Sequence, residues 1–370
     1  MHKLSIKSVE TLRVQWVKGD APGRRSAFVK ITTEDGITGF GEASPMLGGE
    51  ASLGVIDRDL APDIIGADAH DSAVIYDRLL HKCVKLGPEG VVTSALAALD
   101  IALWDIRGKA LGLPIYKLLG GAWRTRIPFY ASIGGNYGRS IDETVRVVAQ
   151  RFETEQPAAI KIRWDGDRTV QDADIKGDIA KARAVRQLVG DDFPLAFDAN
   201  NLYSVGGAIR VGRALEDLGY VWFEEPVQHY DIHGMGEVAR KLDITVSAGE
   251  QAYTTQAVLD LIRAGVRMVQ PDLIKMGGIT GLMRCLALCQ AHGVELVPHQ
   301  TQPVIGHLAN LHVLATQLHA TRPAEYADPS GRMNAGFINP PCPENGAFVL
   351  SDKPGLGLDV DHQALQRLLI

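Results

Sequence analysis

The sequence has 370 residues, a length typical of two average domains or of one large barrel with a smaller domain. With 46% hydrophobic and 22% charged residues, the composition excludes a disordered or fibrous chain. The formal net charge of −6 gives no basic surface for nucleic acid, so we expect no nucleic-acid partner. No apolar run is long enough to span a membrane, so we expect no membrane partner either. Four cysteines and a polar N-terminal stretch without a signal-peptide pattern predict a reducing, cytoplasmic setting.

Residues 1–125 predict an α+β domain. Residues 25–33 alternate between apolar and polar side chains, and an Asp-Gly turn signal separates them from a second alternating run. Residues 91–113 carry alanine and leucine at three- and four-residue spacings, which predicts a helix. Strands followed by helices are typical of an α+β domain, and we expect the C-terminal segment, about residues 340–370, to complete it.

From residue 126 to residue 339, short apolar runs alternate with amphipathic helical stretches. The eight runs lie at residues 127–132, 159–163, 195–200, 221–225, 245–250, 268–272, 295–299 and 324–328. Eight β/α units predict an α/β fold of the TIM type, a closed parallel (β/α) barrel. An open doubly wound sheet is the alternative, but it more often has about five to seven strands.

Three successive runs of this predicted barrel carry an acid near their ends. Asp198, Glu224 and Glu250 are spaced 26 residues apart. Because adjacent strands lie about 4.8 Å apart, the three carboxylates should converge at one end of the barrel. Converging like charges are costly unless a cation lies among them, and an all-oxygen ligand set favours Mg²⁺. Each acid could instead cap the following helix, but three in phase favour a metal site.

Three further residues are expected to support the metal ligands. Neighbours on a strand point to opposite faces, so the equal spacing makes Glu224 the ligand and Glu225 a supporting residue. Asn200 shares the face of Asp198 and could orient a ligand, with a solvated loop position as the alternative. Lys275, in the segment after the sixth strand, is assigned to the same surroundings.

The second run carries two cations on one face. Lys161 and Arg163 are separated by one residue, so both side chains point the same way. Helices cover the outside of barrel strands, and two cations pointing inward are costly without anions nearby. Three carboxylates, a divalent cation, an acid substrate and these two cations sum to zero charge. The pair is therefore predicted to act in catalysis or anion binding.

The sixth and seventh runs end at Asp272 and His299. Adjacent strand ends can bring the carboxylate to a ring nitrogen of the imidazole, which would fix its tautomer and raise its basicity. Most of the 11 histidines carry no such signal, and His299 is distinguished by its position opposite the predicted metal site. The pair predicts a general base.

Taken together, the motifs resemble those of the enolase superfamily and, within it, the mandelate racemase-like group. Over nearly the whole chain they follow that group's order: ALDIALWDIRGKALG, KIR, FDAN, WFEEP, GE, PDLIKMGGITG and PH. The resemblance implies an α+β capping domain over a modified (β/α) barrel. It also implies one Mg²⁺ per subunit on the three acids and a base dyad of Asp272 and His299. The muconate cycloisomerase-like group has a lysine where Asp272 stands, which argues against that group.

Two further positions bear on the reaction. Glu325 matches the acid that hydrogen-bonds the substrate carboxylate in the racemase-like group, and we expect it to act in its protonated form. Arg163 departs from the group's Lys-x-Lys pattern at the second lysine. A guanidinium is a poor base, whereas racemisation needs a base on each face of the carbon. With His299 as the one clearly competent base, the departure favours a lyase.

We therefore predict Mg²⁺-dependent abstraction of the proton α to a carboxylate through an enediolate, with a small hydroxy acid as substrate. The favoured reaction is dehydration of an acid sugar, an aldonate or aldarate, to a 2-keto-3-deoxy acid. A racemase, epimerase or lactone cycloisomerase using the same enediolate is the nearest alternative. A metal-assisted hydrolase and a catalytically idle metal-binding barrel are two further ones. We also expect a homo-oligomer.

Substrate contacts are predicted in two glycine-containing loops of the capping domain, residues 16–25 and 45–50, and on the first barrel strand. A solvated position is the alternative for the two arginines of the first loop. The predicted contact residues are Trp16, Arg24, Arg25 and Tyr130.

Overall fold

The structure, a computed structural model, describes residues 2–16, 25–44, 49–318 and 322–370. Most of the two predicted capping loops, including Arg24, lies outside the described residues. Within the described ranges, no helix has the length and apolar character needed to cross a membrane.

The N-terminal part is an antiparallel three-stranded sheet accompanied by helices. Its strands, β1 (Ile6–Gln15), β2 (Arg25–Thr33) and β3 (Thr38–Glu42), pair in chain order. A π-helical turn at Ile56–Leu60 and 3₁₀ turns at Ala69–Asp71 and Cys83–Leu86 interrupt the helical part. The α-helices are α1 (Glu50–Val55), α2 (Ala61–Ile64), α3 (Ser72–Lys82), α4 (Val91–Leu111) and α5 (Ile115–Leu118).

Glycines on β3 allow this strand to lie directly against α4. A Cβ added at Gly41 would lie 1.8 Å from the carbonyl oxygen of Ala98, and one at Gly39 would lie 2.2 Å from that of Ala102. A side chain at either position would push the strand and the helix apart. This close packing makes α4 the centre of the N-terminal core.

Eight parallel strands follow, and the predicted barrel architecture is confirmed. Each strand from the first to the sixth pairs with the next, and the eighth pairs with the first. All eight overlap the predicted runs, but six runs were too long because their last residues form no strand ladder. The strands are β4 (Arg126–Ile133), β5 (Ala159–Arg163), β6 (Leu195–Asp198), β7 (Trp222–Glu224), β8 (Thr245–Ala248), β9 (Met268–Val269), β10 (Glu295–Leu296) and β11 (Ala324–Tyr326).

Seven helices connect these strands. Side chains of Ser, Thr or Asp accept backbone N–H groups at the start of the first five, and the first has a complete capping box. These caps fix where each loop at the carboxyl end of the strands finishes. The helices are α6 (Ile141–Glu155), α7 (Ile175–Val189), α8 (Val205–Asp217), α9 (Ile232–Lys241), α10 (Thr255–Ala264), α11 (Ile279–His292) and α12 (Ile305–Ala315).

A layer of buried side chains fills the barrel beneath the strand ends. Its largest members are Tyr130 and Trp222, whose rings lie edge to face with their centroids 5.2 Å apart. Small and aliphatic residues from the neighbouring strands complete the layer, which we call the barrel floor: Ala159, Ala196, Met268 and Val297. Functional side chains are therefore confined to the level above it.

The C-terminal segment contacts both parts of the chain. Strand β12 (Ala347–Val349) pairs antiparallel with β4, and helix α13 (His362–Leu368) follows. Gly355 pairs with Pro114, and Leu369 pairs with Val14. We propose the domain division given above, with residues 126–339 as the barrel and the remainder as the capping domain.

Two buried hydrogen bonds fix the N-terminal domain over the carboxyl ends of the barrel strands. Asp100 of α4 accepts the backbone N–H of Thr280 at 2.9 Å, in the first turn of α11. Glu42 of β3 accepts that of Gly306 at 3.0 Å, in the first turn of α12. The N–H groups of a first helical turn have no partner within the helix, so both hydrogen bonds satisfy such a group and orient one domain on the other.

His312 on α12 joins the barrel to α5 and to the C-terminal segment. Its Nδ1 accepts the backbone N–H of Tyr116 at 3.3 Å, and its Nε2 donates to the carbonyl oxygen of Leu356 at 3.2 Å. Both contacts require the neutral ring, and burial lowers the pKa of His312 from 6.5 to about 4.

We predict that His312 makes the protein less stable as the pH falls from 7.5 to 5.5. The unfolded chain takes up a proton near pH 6.5, whereas the folded chain does so only near pH 4, so folding is disfavoured in that window. The free energy of unfolding should fall by about 1 kcal/mol for this reason. His312→Gln can keep both hydrogen bonds and should remove this part of the decrease in the free energy of unfolding. Guanidinium denaturation at both pH values measures that decrease. Exposed His233→Gln is the control, and an unchanged loss in His312→Gln would contradict the prediction.

Candidate active site

Three carboxylates converge at the carboxyl end of the barrel strands. Asp198 and Glu224 end β6 and β7 and are paired in register, and Glu250 lies two residues beyond β8. One oxygen from each lies within 4.8 Å of the other two, and all three residues are buried. Ligand oxygens around one octahedral Mg²⁺ lie about 3 to 4 Å apart, so the spacing of these three carboxylates is close to that of ligands of a single ion.

The negative charge of the acidic cluster is only partly compensated by neighbouring side chains. Burial and the charge of Glu224 raise the pKa of Asp198 well above its ordinary value. Asp198 Oδ2 takes part in no hydrogen bond with the described residues, and Lys161 Nζ lies 3.5 Å from it. A buried carboxylate oxygen without a donor, facing two other carboxylates, fits a divalent cation. The residues present therefore match a magnesium site.

Lys161 lies against this cluster. Its Nζ is 2.8 Å from Glu224 Oε1 and 3.0 Å from Glu325 Oε1, and the side chain is fully buried. Burial opposes its charge, but the surrounding carboxylates outweigh that effect and raise the pKa of Lys161 well above its ordinary value. Lys161 is therefore held protonated, which suits it to bind an anion.

The two nitrogens of His299 face different groups. Nδ1 lies 2.8 Å from Asp272 Oδ2, and Nε2 lies 3.5 Å from Glu250 Oε2. The other oxygen of Asp272 accepts the backbone N–H groups of Ile274 and Lys275 at 2.8 and 3.1 Å. A carboxylate at Nδ1 keeps a proton on that nitrogen, so Nε2, which faces the acidic cluster, is the nitrogen that carries the lone pair when the ring is neutral.

The charge of His299 depends on its acidic neighbours. Burial lowers its pKa, but the charge of Glu250, the hydrogen bond to Asp272 and the charge of Glu325 outweigh burial and raise the pKa to about 9. A divalent cation held by Glu250 would offset that carboxylate's attraction and lower the pKa again. The neutral, basic form of His299 is thus favoured when the cluster holds a cation.

Glu325 on β11 differs from our expectation of a protonated acid. Its Oε2 accepts the backbone N–H of Gln300 at 2.9 Å, while Oε1 contacts Lys161. Burial favours its neutral form, but the charges of Lys161, His299 and Arg163 outweigh burial and lower the pKa of Glu325 to about 2. In this arrangement Glu325 is ionised and anchors the Lys161 ammonium.

Arg163 lies on the same strand as Lys161, and its guanidinium is engaged by a residue of the following loop. Nε donates to Asp165 Oδ1 at 2.7 Å, and Nη1 lies 3.4 Å from Ser132 Oγ. Burial opposes the charge, but Asp165 outweighs it and raises the pKa of Arg163 above its ordinary value. The side chain remains a cation with directed donors and does not act as a base.

Asn200 and Glu225, the predicted supporting residues, make different contacts. Asn200 donates its backbone N–H to Asp198 Oδ1 at 2.9 Å, and its side-chain oxygen accepts the N–H of Asp165 at 2.7 Å. Glu225 accepts a hydrogen bond from Asn201 Nδ2. Burial and the charges of the cluster raise the pKa of Glu225 well above its ordinary value, which favours its neutral form.

Lys275 reaches the cluster through a side chain that the sequence analysis missed. Its Nζ donates to Gln251 Oε1 at 3.1 Å, and Gln251 Nε2 donates to Glu250 Oε1 at 2.8 Å. Because its backbone N–H also binds Asp272, Lys275 lies between a metal ligand and the residue that holds the imidazole.

Two more glutamines in the site were missed. Gln270 Nε2 donates to Glu224 Oε2 at 2.8 Å, and Gln302 Nε2 donates to Asp272 Oδ2 at 3.0 Å. Gln270 precedes Asp272 by two residues, so the alternation rule applied to Lys161 and Arg163 would have found it. Gln302 lies in a loop, where no periodicity indicates which side chain turns inward.

Trp16, a predicted substrate contact, lies in the core. Its side chain is buried, its indole N–H donates to Ser26 Oγ at 2.9 Å, and its ring centroid lies 6.0 Å from that of Phe28 and 6.3 Å from that of Phe337. These contacts give the indole a packing role between β2 and the C-terminal segment.

The other two described candidates for substrate contact also have partners within the chain. Arg25 forms an exposed ion pair with Glu50 at 2.8 Å. Tyr130 is fully buried in the barrel floor, with its ring centroid 5.5 Å from Lys161 Nζ. Its hydroxyl makes no hydrogen bond to the described residues. The indole N–H of Trp222, the other large ring of the floor, donates to Glu224 Oε2.

A capping sheet-and-helix domain over a (β/α) barrel with three acids at its mouth defines an acid-lined metal site of the enolase type. The chain belongs to that family: residues 10–120 match the mandelate racemase/muconate lactonizing enzyme N-terminal domain, and residues 143–364 match the enolase C-terminal domain-like family. The resemblance stated from the sequence motifs is confirmed.

Relatives cover almost the whole chain. A mandelate racemase/muconate lactonizing protein from Paracoccus denitrificans, crystallised with magnesium, is 66% identical over 98% of this chain and 96% of its own, with a TM-score of 0.95. A 3,6-anhydro-α-L-galactonate cycloisomerase from Streptomyces coelicolor is 32% identical over 92% of this chain and 91% of its own. An L-talarate/galactarate dehydratase from Salmonella typhimurium is 31% identical over 91% of this chain and 81% of its own.

We predict that Mg²⁺ binds the acidic cluster and that Asp198→Asn weakens its binding at least ten-fold. Asparagine can still accept the N–H of Asn200, so the change removes one ligand charge while the local fold is kept. Isothermal titration calorimetry measures the affinity, and Mg²⁺ should raise the melting temperature of the unaltered protein more than that of the variant. Asp260→Asn, at a half-exposed side chain on α10, is the control. Equal affinities for Asp198→Asn and the unaltered protein would contradict the assignment.

Proposed function

We propose that this protein is a magnesium-dependent enzyme that removes the proton α to the carboxylate of an acid sugar and expels the β-hydroxyl as water. The product would be a 2-keto-3-deoxy acid. The observation that carries the proposal is His299, whose Nδ1 is bound by Asp272 while Nε2 lies 3.5 Å from Glu250 in the acidic cluster. A base and a residue of the proposed cation site are thereby adjacent among buried side chains at the carboxyl end of the barrel strands.

Asp198, Glu224 and Glu250 are the residues that would hold Mg²⁺. When bound there, the ion would supply positive charge to the substrate carboxylate and to the negative charge that develops on it. Lys161 is positioned to donate hydrogen bonds to the same carboxylate, because its ammonium touches Asp198 and Glu224 and is held protonated. A buried ammonium aimed at a developing anion is an electrostatically preorganised donor.

His299 would carry the proton through the reaction. Nε2 takes the hydrogen from the carbon next to the carboxylate, and the resulting imidazolium is stabilised by Asp272. The imidazolium then gives that proton to the β-hydroxyl as the carbon–oxygen bond breaks, and water leaves. The enol that remains tautomerises to the 2-keto acid, so protons and electrons balance with one residue acting as base and then as acid.

Arg163 supports a lyase over a racemase. Racemisation requires a second base on the opposite face, and the charged guanidinium held by Asp165 does not accept a proton. Its donors are suited to orient a carboxylate or hydroxyl of the substrate. One competent base is sufficient for elimination, since the same imidazolium can return its proton to the leaving group.

Acid sugars are the proposed substrate class because both curated relatives described above act, by name, on sugar acids. Such molecules carry a hydrogen next to a carboxylate and a hydroxyl one carbon further, which are the groups that this reaction consumes. The dehydratase and the cycloisomerase show similar identity to this chain, 31% and 32%. Cycloisomerisation of a lactone or anhydro sugar acid is therefore the second candidate.

We predict that a library of mono- and diacid sugars with Mg²⁺ yields a 2-keto acid from at least one member, detected as its semicarbazone. In D₂O, a dehydratase gives product with loss of water, whereas an isomerase gives solvent deuterium in a product of unchanged formula. Exchange without water loss would favour the second candidate. No turnover and no exchange with any member, while Mg²⁺ still raises the melting temperature, would favour an idle metal-binding barrel.

We predict that His299→Asn lowers kcat at least 10³-fold, because proton abstraction then lacks its base. Mg²⁺ affinity should stay within about three-fold, since His299 is not a ligand. His292→Asn, at the exposed end of α11, should leave both quantities unchanged. Retention of turnover by His299→Asn would remove the assigned base. The expected homo-oligomer and the cytoplasmic setting stay predictions.

A further inference from the structure

We propose that Gln302 is a positioning residue for the Asp272–His299 pair and that it ties the pair to the capping domain. The inference rests on the proposed function for its kinetic consequence, but its structural consequence can be measured without a substrate. Gln302 follows the seventh barrel strand, is 4% exposed and does not contact the three acids in any interaction described above.

Gln302 acts on the carboxylate oxygen that holds the imidazole. Its Nε2 lies 3.0 Å from Asp272 Oδ2, which also binds His299 Nδ1 at 2.8 Å. The other oxygen of Asp272 is fixed by the backbone N–H groups of Ile274 and Lys275. Gln302 is thus the side-chain donor, besides the imidazole itself, that sets the direction of the Asp272 carboxylate. That direction in turn sets where His299 Nε2 points.

The same amide nitrogen contacts the capping domain. Gln302 Nε2 lies 3.4 Å from the carbonyl oxygen of Ser44, and a primary amide has one hydrogen for each acceptor. Ser44 is held in turn, because its Oγ accepts the backbone N–H of Ala27 on β2 at 2.6 Å. Ser44 directly precedes the predicted capping loop at residues 45–50. The amide therefore links the base pair of the barrel to the end of a segment expected to contact substrate.

The surroundings hold Gln302 in this orientation. Its backbone carbonyl oxygen accepts a hydrogen bond from Gln300 Nε2 at 2.5 Å, which fixes the main chain at this position. A Cβ added at Gly306 would lie 2.8 Å from Gln302 Cβ and 2.9 Å from its Cγ, so the glycine provides the room that the side chain occupies. Gly306 itself is held to the capping domain by Glu42. Two contacts of that domain, through Glu42 and Ser44, thus converge on the segment that carries Gln302.

Loss of this amide should affect proton transfer and leave substrate binding nearly unchanged. The three acids, which are proposed to hold Mg²⁺, and Lys161, which is proposed to bind the substrate carboxylate, make no contact with Gln302 in the interactions described above. Without the amide, Asp272 loses one donor and the imidazole is free to turn away from the α-hydrogen. A misplaced base lowers kcat while KM changes little, whereas a general loss of folded protein lowers the apparent activity without this pattern.

The test compares Gln302→Leu with Gln317→Leu in the Mg²⁺-loaded protein, using the substrate found by the library screen. Gln317 is also a buried glutamine, and its Nε2 donates to the carbonyl oxygen of Leu296 at 3.0 Å, away from Asp272. Gln302→Leu should lower kcat 10- to 100-fold with KM and Mg²⁺ affinity within two-fold, and Gln317→Leu should leave kcat unchanged. Gly306→Ala, which displaces Gln302 without removing it, should show the same selective loss.

A spectroscopic measurement separates this proposal from the proposed function. The proton shared by His299 Nδ1 and Asp272 should give a downfield ¹H resonance that disappears in His299→Asn. This resonance should move in Gln302→Leu and Gly306→Ala but not in Gln317→Leu. If it moves while no sugar acid is turned over, the positioning role stands and the proposed function fails. If neither the resonance nor kcat changes in Gln302→Leu, the positioning role is overturned.

Discussion

The site depends on negative charge concentrated in a space that excludes water. Asp198, Glu224 and Glu250 are buried within 4.8 Å of one another, and Glu325 adds a fourth carboxylate across Lys161. The Lys161 ammonium offsets part of this charge, and the pKa of Asp198 still rises well above its ordinary value. A divalent cation at the three acids would offset most of the remaining negative charge, so a cluster that is costly to bury is also suited to bind a metal.

The three basic side chains around that cluster differ in their chemical properties because their partners differ. The Lys161 ammonium lies against the carboxylates of Glu224 and Glu325 and stays protonated, so it is suited to stabilise an anion. His299 has one carboxylate on Nδ1 and another near Nε2, so its charge responds to what the cluster holds. Arg163 is engaged by Asp165 and keeps its donors without becoming a base. Under the proposed function, these three basic side chains would serve as an anion binder, a proton carrier and an orienting group.

The sequence predicted the parts of the site that follow strand periodicity. Asp198 and Glu224 end strands in register, so equal spacing in the chain became equal height in the barrel. Glu250 and His299 lie beyond the last ladder residues and were still identified, because the repeat length places them at the same level. What escaped prediction depends on contacts distant in sequence. Gln302 meets Ser44 across 258 residues, and no local pattern specifies that meeting.

The barrel floor has a consequence for how molecules reach the cluster. Tyr130 and Trp222, packed edge to face with small neighbours around them, close the interior below Lys161 within the described part of the chain. Any ion or small molecule must therefore reach the acids from the carboxyl end of the strands. Glu42 of β3 and Asp100 of α4 hold the N-terminal domain over that end. A substrate and its product would use this same route, so the product would have to leave before the next substrate binds.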